Sequence, residues 1–430
     1  MYKFVVRAAT LVALVGCAHA AQDIAGSWQG TLKVGRELRL IVEISKSENG
    51  GWNAMLYSID QGTEGMRADS VTLEGLTVKI SLNMIHGAYE GTLSEDGGTM
   101  KGTWTQGKPL PLDLARATKE TAWTRDQSPH TIRFVTVDKD VRLEVLDWGG
   151  SGRVLVFLAG LGNTAHVFDD FAPKLTGSYH VYGITRRGFG VSSVPAAIAA
   201  NYQADRLGDD VLEVCAALKL DRPVLVGHSI AGGELSSVGS RHPERVAGLI
   251  YLDAGYGYAF YDVARGDLSI DSLDVQKKLD QLLGPADTRP LIKELLETNL
   301  PQLEKDLKEL QKSLESNPPP ATAQTAGPTA PLPALAIIKG EQKYTGFQGV
   351  PVLAIFAVPH ETPPNLKGKP EQAAAAEAHD LEVGGKLTKA FENGMAGSRV
   401  VRLAHANHYV FRSNEADVLR EMNSFLAGLQ

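Results

Sequence analysis

Pro223-Val224-Leu225-Val226, running into Gly227-His228-Ser229-Ile230-Ala231-Gly232, decides how this chain is read. The apolar run has the length and composition of a buried strand. Glu234 to Arg241, just beyond it, reads as the start of a helix. A tight strand-to-helix turn needs flanking positions without bulk, and these are small. Such a turn lifts a serine hydroxyl above the sheet, beside the free N–H groups of a helix start. A capping serine in a plain strand–turn–helix would show the same letters. The rest of the chain has to supply the chemical partners.

Outward from this stretch, strands alternate with helices. Strands read as 132–137, 141–147, 153–159, 180–184, 222–226, 246–252, 351–357 and 399–403, with helical stretches between most of the later ones. This alternation marks an α/β domain. Eight strands in this order, with the serine turn, resemble the α/β-hydrolase superfamily in its serine-nucleophile, esterase- or lipase-like form. The resemblance covers residues 132–430. It implies an eight-stranded, mostly parallel sheet with Ser229 at a nucleophile elbow.

A serine hydroxyl is a weak nucleophile near neutral pH. It needs a base within hydrogen-bond reach and donors for the developing oxyanion. In the superfamily the chain order is serine, acid, histidine. The last strand, Arg399 to Leu403, is followed by Ala404-His405-Ala406-Asn407-His408-Tyr409 and then an amphipathic helix over Glu415 to Leu429. By register, His408 matches the family's Gly-His-aromatic position, with Asn407 where Gly is usual, and it is preferred over His405 as the base. His228 adjoins the nucleophile and should point elsewhere.

Two positions compete for the acid. The commonest family location follows the seventh strand, where this chain reads Ala357-Val358-Pro359-His360-Glu361. Glu361 is the expected acid there, although it stands one place late. The alternative is Asp253, which ends the sixth strand in Leu249-Ile250-Tyr251-Leu252-Asp253. Both preserve the chain order. For the oxyanion, the resemblance implies the backbone N–H groups of Ile230 and Leu161. The latter lies in Leu158-Ala159-Gly160-Leu161-Gly162-Asn163, similar to the family's His-Gly loop with Ala159 in place of His. Thr185-Arg186-Arg187-Gly188-Phe189-Gly190-Val191-Ser192 resembles a supporting loop of the same superfamily, with Thr185 in place of Asp.

Between Asp253 and Val350 no strand-like run appears until the end. Leu303, Leu307, Leu310 and Leu314 recur at helical spacing in a charged segment, and Leu279, Leu282 and Leu283 suggest a second helix. The region at about 256–348 is expected to form a helical cap. The leucine stripe reads as its packing face on the main domain. Asn317 to Pro333, rich in Pro, Ala and Thr, reads as mobile.

Residues 23–118 read as an all-β, barrel-like domain. In Glu37-Leu38-Arg39-Leu40-Ile41-Val42-Glu43-Ile44 the apolar positions 38, 40, 42 and 44 carry the period of two of a half-buried strand. Asn49-Gly50 and Asp96-Gly97 are turn signals. A closed meander of about eight short strands fits. Gly26-Ser27-Trp28 resembles the lipocalin entrance motif over three residues. A ligand-binding barrel and a barrel that simply packs on the catalytic domain are both open. Residues 119–131 form a linker.

Lys3 and Arg7, the apolar run Ala8 to Gly16 and Ala18-His19-Ala20 have the layout of a cleavable export signal, residues 1–20. The chain is expected to be periplasmic or secreted. Leu14-Val15-Gly16-Cys17 also resembles a bacterial lipobox, so a lipoprotein held to the membrane through Cys17 is the alternative. The only other cysteine, Cys215, reads as a small buried hydrophobe. The net charge of −7, without a basic cluster, argues against nucleic acid as a partner.

No cofactor is implied. No metal is implied either, since His405-x-x-His408 with distant His360 is a poor ligand pattern. These readings predict an exported carboxylesterase acting on small-molecule esters. A lipase, a peptidase of the proline iminopeptidase type acting on amides, or a lactonase are alternatives. A catalytically inactive ligand-binding protein is the alternative of another class.

Overall fold

Along residues 37–46, Leu38, Leu40, Val42 and Ile44 are buried, and Glu37, Arg39 and Glu43 are exposed, as the period of two requires. The computed structural model describes residues 23–34, 37–47, 50–59, 65–123, 128–284, 287–316, 332–363 and 366–429. The leader at 1–20 with Cys17, the turn residue Asn49 and the stretch 317–331 lie outside the described residues. The described residues fall into two units. One comprises 23–56, 68–82 and 86–123, and the other 57–67, 83–85 and 128–429.

The N-terminal sheet has ten strands. They are β1 (Gly26–Lys33), β2 (Glu37–Lys46), β3 (Trp52–Ser58), β4 (Gly65–Arg67), β5 (Ser70–Glu74), β6 (Thr77–Leu82), β7 (Gly87–Leu93), β8 (Thr99–Gln106), β9 (Lys108–Pro111) and β10 (Leu114–Arg116). Their order is β4-β3-β2-β1-β10-β8-β7-β6-β5, with β9 on β8. The two ends of this path are consecutive in the chain. Ala68 N–H donates to Ala54 O on β3 and Asp69 N–H to Ser81 O on β6, so one segment links both edges. The inward face is filled by apolar side chains, with Trp28, Val78 and Met100 fully buried. Trp28 Nε1–H donates to Ile24 O at 3.0 Å, and the Arg116 guanidinium lies over its ring. Trp28 therefore serves as core.

The second sheet contains β11 (Thr131–Asp138), β12 (Val141–Gly149), β13 (Val154–Leu158), β14 (His180–Thr185), β15 (Val224–His228), β16 (Gly248–Leu252), β17 (Val352–Ala357) and β18 (Arg399–Leu403). All eight expected strands are present, in the order β11-β12-β14-β13-β15-β16-β17-β18. The first three pair antiparallel, and β14 through β18 run parallel. Strands covered on both faces must be apolar throughout, which is why β15, β16 and β17 read as unbroken hydrophobic runs. Helices Ala204–Ala217 and Ala231–Arg241 bury Val211, Leu235 and Val238 on one face. The helix Glu415–Ala427 buries Val418, Met422 and Leu426 on the other. Cys215 is a buried free thiol in the first of these layers.

The insertion after β16 is helical, with helices Leu268–Gln281, Arg289–Glu294, Leu300–Ser316 and Leu332–Ile338. The leucine stripe is corrected. Leu307, Leu310 and Leu314 stay exposed, and so do Leu279 and Leu283. The cap packs through its last helix instead, where Ala334, Ala336 and Ile337 join Phe189, Tyr202 and Leu207. No helix among the described residues is long and apolar enough to cross a membrane.

Candidate active site

Strand β15 ends at His228, and helix Ala231–Arg241 begins three residues later. Ser229 between them has φ +54°, a left-handed conformation that costs an L-residue about 1 kcal/mol or more. The turn survives because its neighbours are small. A Cβ on Gly232 would stand 1.9 Å from Ala254 O, and one on Gly227 would stand 2.9 Å from Leu235 Cδ1. Ser229 N–H donates to Leu252 O at 3.3 Å, which ties the turn to β16.

His408 lies in the loop after β18, and its Nε2 is 2.9 Å from Ser229 Oγ. The expectation for His408 and the geometry agree. His405 points away, with Glu377 at 3.8 Å as its nearest acid. His408 Nδ1 lies 2.6 Å from Asp253 Oδ2. Asp253 is fully buried just past β16. Its Oδ1 accepts from the Tyr256 hydroxyl at 2.6 Å and from Ala357 N–H at 3.0 Å. Burial alone would raise the Asp253 carboxyl. Hydrogen bonds from His360, His408 and Tyr256 outweigh it and hold the group down at about 2.

The contact expected of Glu361 is corrected: its carboxylate does not meet His408, and that of its alternative, Asp253, does. Glu361 is exposed, and its carboxylate takes a hydrogen bond from Asn407 Nδ2. The reason is strand alternation. Residue 360 makes a parallel bridge with Ala406, so successive side chains face opposite ways. His360 faces Asp253, at 3.0 Å from Nε2 to Oδ2, and Glu361 faces out.

The glycine loop passes beside the serine, since a Cβ on Gly160 would stand 3.2 Å from Ser229 Cβ. Arg186 holds that loop by its carbonyls, donating to Ala159 O at 2.8 Å and Gly160 O at 3.4 Å. Its guanidinium is ion-paired with Glu234 in the first turn of the elbow helix, and both side chains are buried. Among the described residues no backbone acceptor takes up the N–H of Leu161 or Ile230. Both side chains pack against the cluster that holds Ala334, Ala336 and Ile337. The site is walled by apolar groups from the cap.

Three further residues complete the surroundings. His228 does point elsewhere: its Nε2–H donates to His408 O at 3.1 Å, which ties down the His408 backbone. Burial, reinforced by His408, pushes its pKa down to about 3, so it stays neutral. Tyr258 lies beside the site, and burial, with the charge of Asp253 adding to it, pushes its phenol well above the usual tyrosine range. Asp380 receives the second ring nitrogen of His360 at 3.0 Å. Sequence reasoning missed Tyr256, Tyr258 and Asp380, whose only signal was proximity in the fold.

Asp253, His360 and His408 bring their donor atoms close enough to share a metal, and so do His130, His166 and Asp169. In both groups, ring nitrogens of each imidazole already face the aspartate at hydrogen-bond distance. His405 does not join the first group.

A model of the alpha/beta hydrolase fold matches residues 153–371, half of the chain. The chain belongs to the alpha/beta hydrolase family. A fluoroacetate dehalogenase of Burkholderia sp. is 33% identical over 116 residues, which are 26% of this chain and 38% of the relative. A 2-hydroxymuconate semialdehyde hydrolase of Pseudomonas sp. is 32% identical over 162 residues, 33% of this chain and 56% of the relative. The chain thus spans less than two thirds of either relative. Among solved structures, an esterase from Exiguobacterium antarcticum superposes with a TM-score of 0.44 at 18% identity, covering 69% of this chain and 100% of that one. Ser229, Asp253 and His408 all follow the carboxyl ends of parallel strands of this sheet, after β15, β16 and β18.

Proposed function

We propose that the protein is a serine hydrolase, with Ser229 as nucleophile, His408 as general base and Asp253 as the acid that orients it. The observation that carries this reading is the unbroken chain from Ser229 Oγ to His408 Nε2 at 2.9 Å and from His408 Nδ1 to Asp253 Oδ2 at 2.6 Å. His408 takes the serine proton as Oγ attacks an acyl carbon. The N–H groups of Ile230 and Leu161 receive the oxyanion, a contribution of about 3 kcal/mol per donor. His408 then protonates the leaving group. Water, activated by the same base, cleaves the acyl-enzyme. Asp253, ionised and held by four donors, keeps His408 in the tautomer that accepts from serine.

The substrates are carboxylic esters of small or medium acyl groups. Ala334, Ala336 and Ile337 beside Leu161 and Ile230 offer an apolar wall to the acyl chain. Dehalogenation through an alkyl-enzyme does not suit Ser229. Alkylation of a serine oxygen makes an ether, which has no carbonyl for water to attack, whereas an alkylated carboxylate does.

Hydrolysis of a p-nitrophenyl ester series by the protein, beside Ser229→Ala and His408→Ala, tests the reading. Short-chain turnover that both substitutions remove supports it. Turnover that survives in Ser229→Ala contradicts it. Export of the mature chain past residue 20, with a small-molecule ester as substrate, completes the proposal, and the N-terminal mass of the protein recovered from culture checks the processing.

A further inference from the structure

Asp253 Oδ2 serves two imidazoles. His408 Nδ1 is 2.6 Å from it and His360 Nε2 is 3.0 Å from it. The other ring nitrogen of His360, Nδ1, is 3.1 and 3.0 Å from the two oxygens of Asp380. The His360 backbone N–H also donates to Asp380 Oδ2, at 2.5 Å. A neutral imidazole has one N–H and one lone pair. Here both nitrogens face carboxylate oxygens, so a neutral ring would aim a lone pair at an anion. The arrangement is satisfied only by an imidazolium that donates on both sides.

The surroundings agree. The groups that face His360 are Asp253 at the end of β16, Asp380 on helix Pro370–Gly394 and His408, whose ring centre is 6.3 Å away. Tyr256 reaches the same Asp253 carboxylate from the start of the cap. Glu361 and Glu377 line the shallow cavity onto which His360 opens. His405 Nε2 lies 3.8 Å from Glu377. Its pKa is raised to about 9, chiefly by the hydrogen bond to Asp253, against the pull of burial, with Asp380 adding to the rise.

We infer that His360, clamped by Asp380, is a positioning residue that acts as a fixed cation on the catalytic aspartate. The inference rests on the Ser229–His408–Asp253 reading and deepens it. When His408 takes the serine proton, it becomes a cation beside Asp253. His360 already occupies that carboxylate and opposes a second positive charge. The charge of His360, held in place by Asp380, therefore opposes the charge that His408 gains with the serine proton. The loop after β17, expected to carry the acid, carries the acid's cation instead.

The test is the pH profile of kcat/KM for a p-nitrophenyl ester, measured on the full chain, His360→Gln and Asp380→Asn. Fluorophosphonate labelling of Ser229 is measured on each. Glutamine can still donate to Asp253 without charge. The acid limb is expected to move up by about one pH unit in His360→Gln, which removes the charge beside Asp253, and not to rise in Asp380→Asn, which leaves that charge in place. A structural role alone would lower activity evenly and leave the limb in place. That outcome, with all proteins labelling fully, overturns the inference and leaves the triad reading standing. Failure of the wild-type chain to label overturns both. His360→Asn, equally uncharged and smaller, keeps the test open if His360→Gln does not fold.

Discussion

Arg186 and Glu234 form a buried ion pair that joins the glycine loop to the helix after Ser229. Arg186 leaves β14 and spends its remaining N–H groups on the carbonyls of Ala159 and Gly160. Glu234 stands one turn past Ser229. The two sides of the proposed oxyanion site are thus held by one guanidinium. Removing one partner strands the other charge in the interior. Arg186→Met is expected to cost about 3 kcal/mol or more of stability. It should also lower kcat while moving KM little, because the loop donors are needed most in the transition state. Urea melts and steady-state kinetics check both, and a variant as stable as the parent would sink the assignment.

Asp253 and Glu361 separate cleanly by substitution. Asp253→Asn leaves an amide where His408 needs a carboxylate, and kcat should fall by about 10⁴-fold. Glu361→Gln changes only the exposed contact with Asn407, and its kcat should stay close to the parent value. Equal losses in the two variants would return the acid to the β17 loop.

The histidine on the aspartate also affects stability. The folded pKa of His360 is raised, from 6.5 to about 9. Its contribution is fully present below pH 6.5 and is lost as the pH rises through 9. Asp253 works in the opposite sense. Depressed from 3.8 to about 2, it contributes above pH 3.8 and loses that contribution as the pH falls through 2. Between pH 6.5 and 9 the unfolding free energy of the parent should drop by on the order of 1 kcal/mol more than that of His360→Gln, given the ring's partial exposure. Parallel curves from denaturant titrations across that window would contradict the charge assignment.

Gly232→Ala probes the elbow itself. The added methyl would lie 1.9 Å from Ala254 O, which is backbone and cannot swing aside. A loss of about 2–3 kcal/mol and a displaced Ser229 are expected. Thermal melts and the labelling rate of the serine report the two effects. A stable variant that labels at the parent rate would show that the turn has room to spare.

The sheet was legible from sequence because β13 to β17 are short, mostly apolar runs buried along nearly their whole length, and β18 repeats Val400-Val401 between its arginines. Ser229 and His408 were legible because each is fixed relative to such a run, one just after β15 and the other in the loop after β18. The acid was not, because the segments after β16 and β17 each offer a carboxylate that precedes the same histidine in the chain. Which one turns inward depends on a single residue of alternation at His360–Glu361. A signal was present in Asp253 itself, which follows β16 directly, with no intervening residue to turn it away. The leucine stripe at 303–314 failed for another reason. Helical periodicity shows that a face is apolar, and it does not show what covers that face. Leu307, Leu310 and Leu314 are exposed here. Arg186 and Glu234 gave no sign of being partners, being 48 residues apart in sequence.

The most direct test of the account is peptide mapping by mass spectrometry after reaction with a fluorophosphonate at neutral pH. The account predicts one adduct, on the peptide that carries Ser229, absent from Ser229→Ala and formed far more slowly in His408→Ala and Asp253→Asn. An unlabelled protein, or an adduct on any other residue, would contradict it.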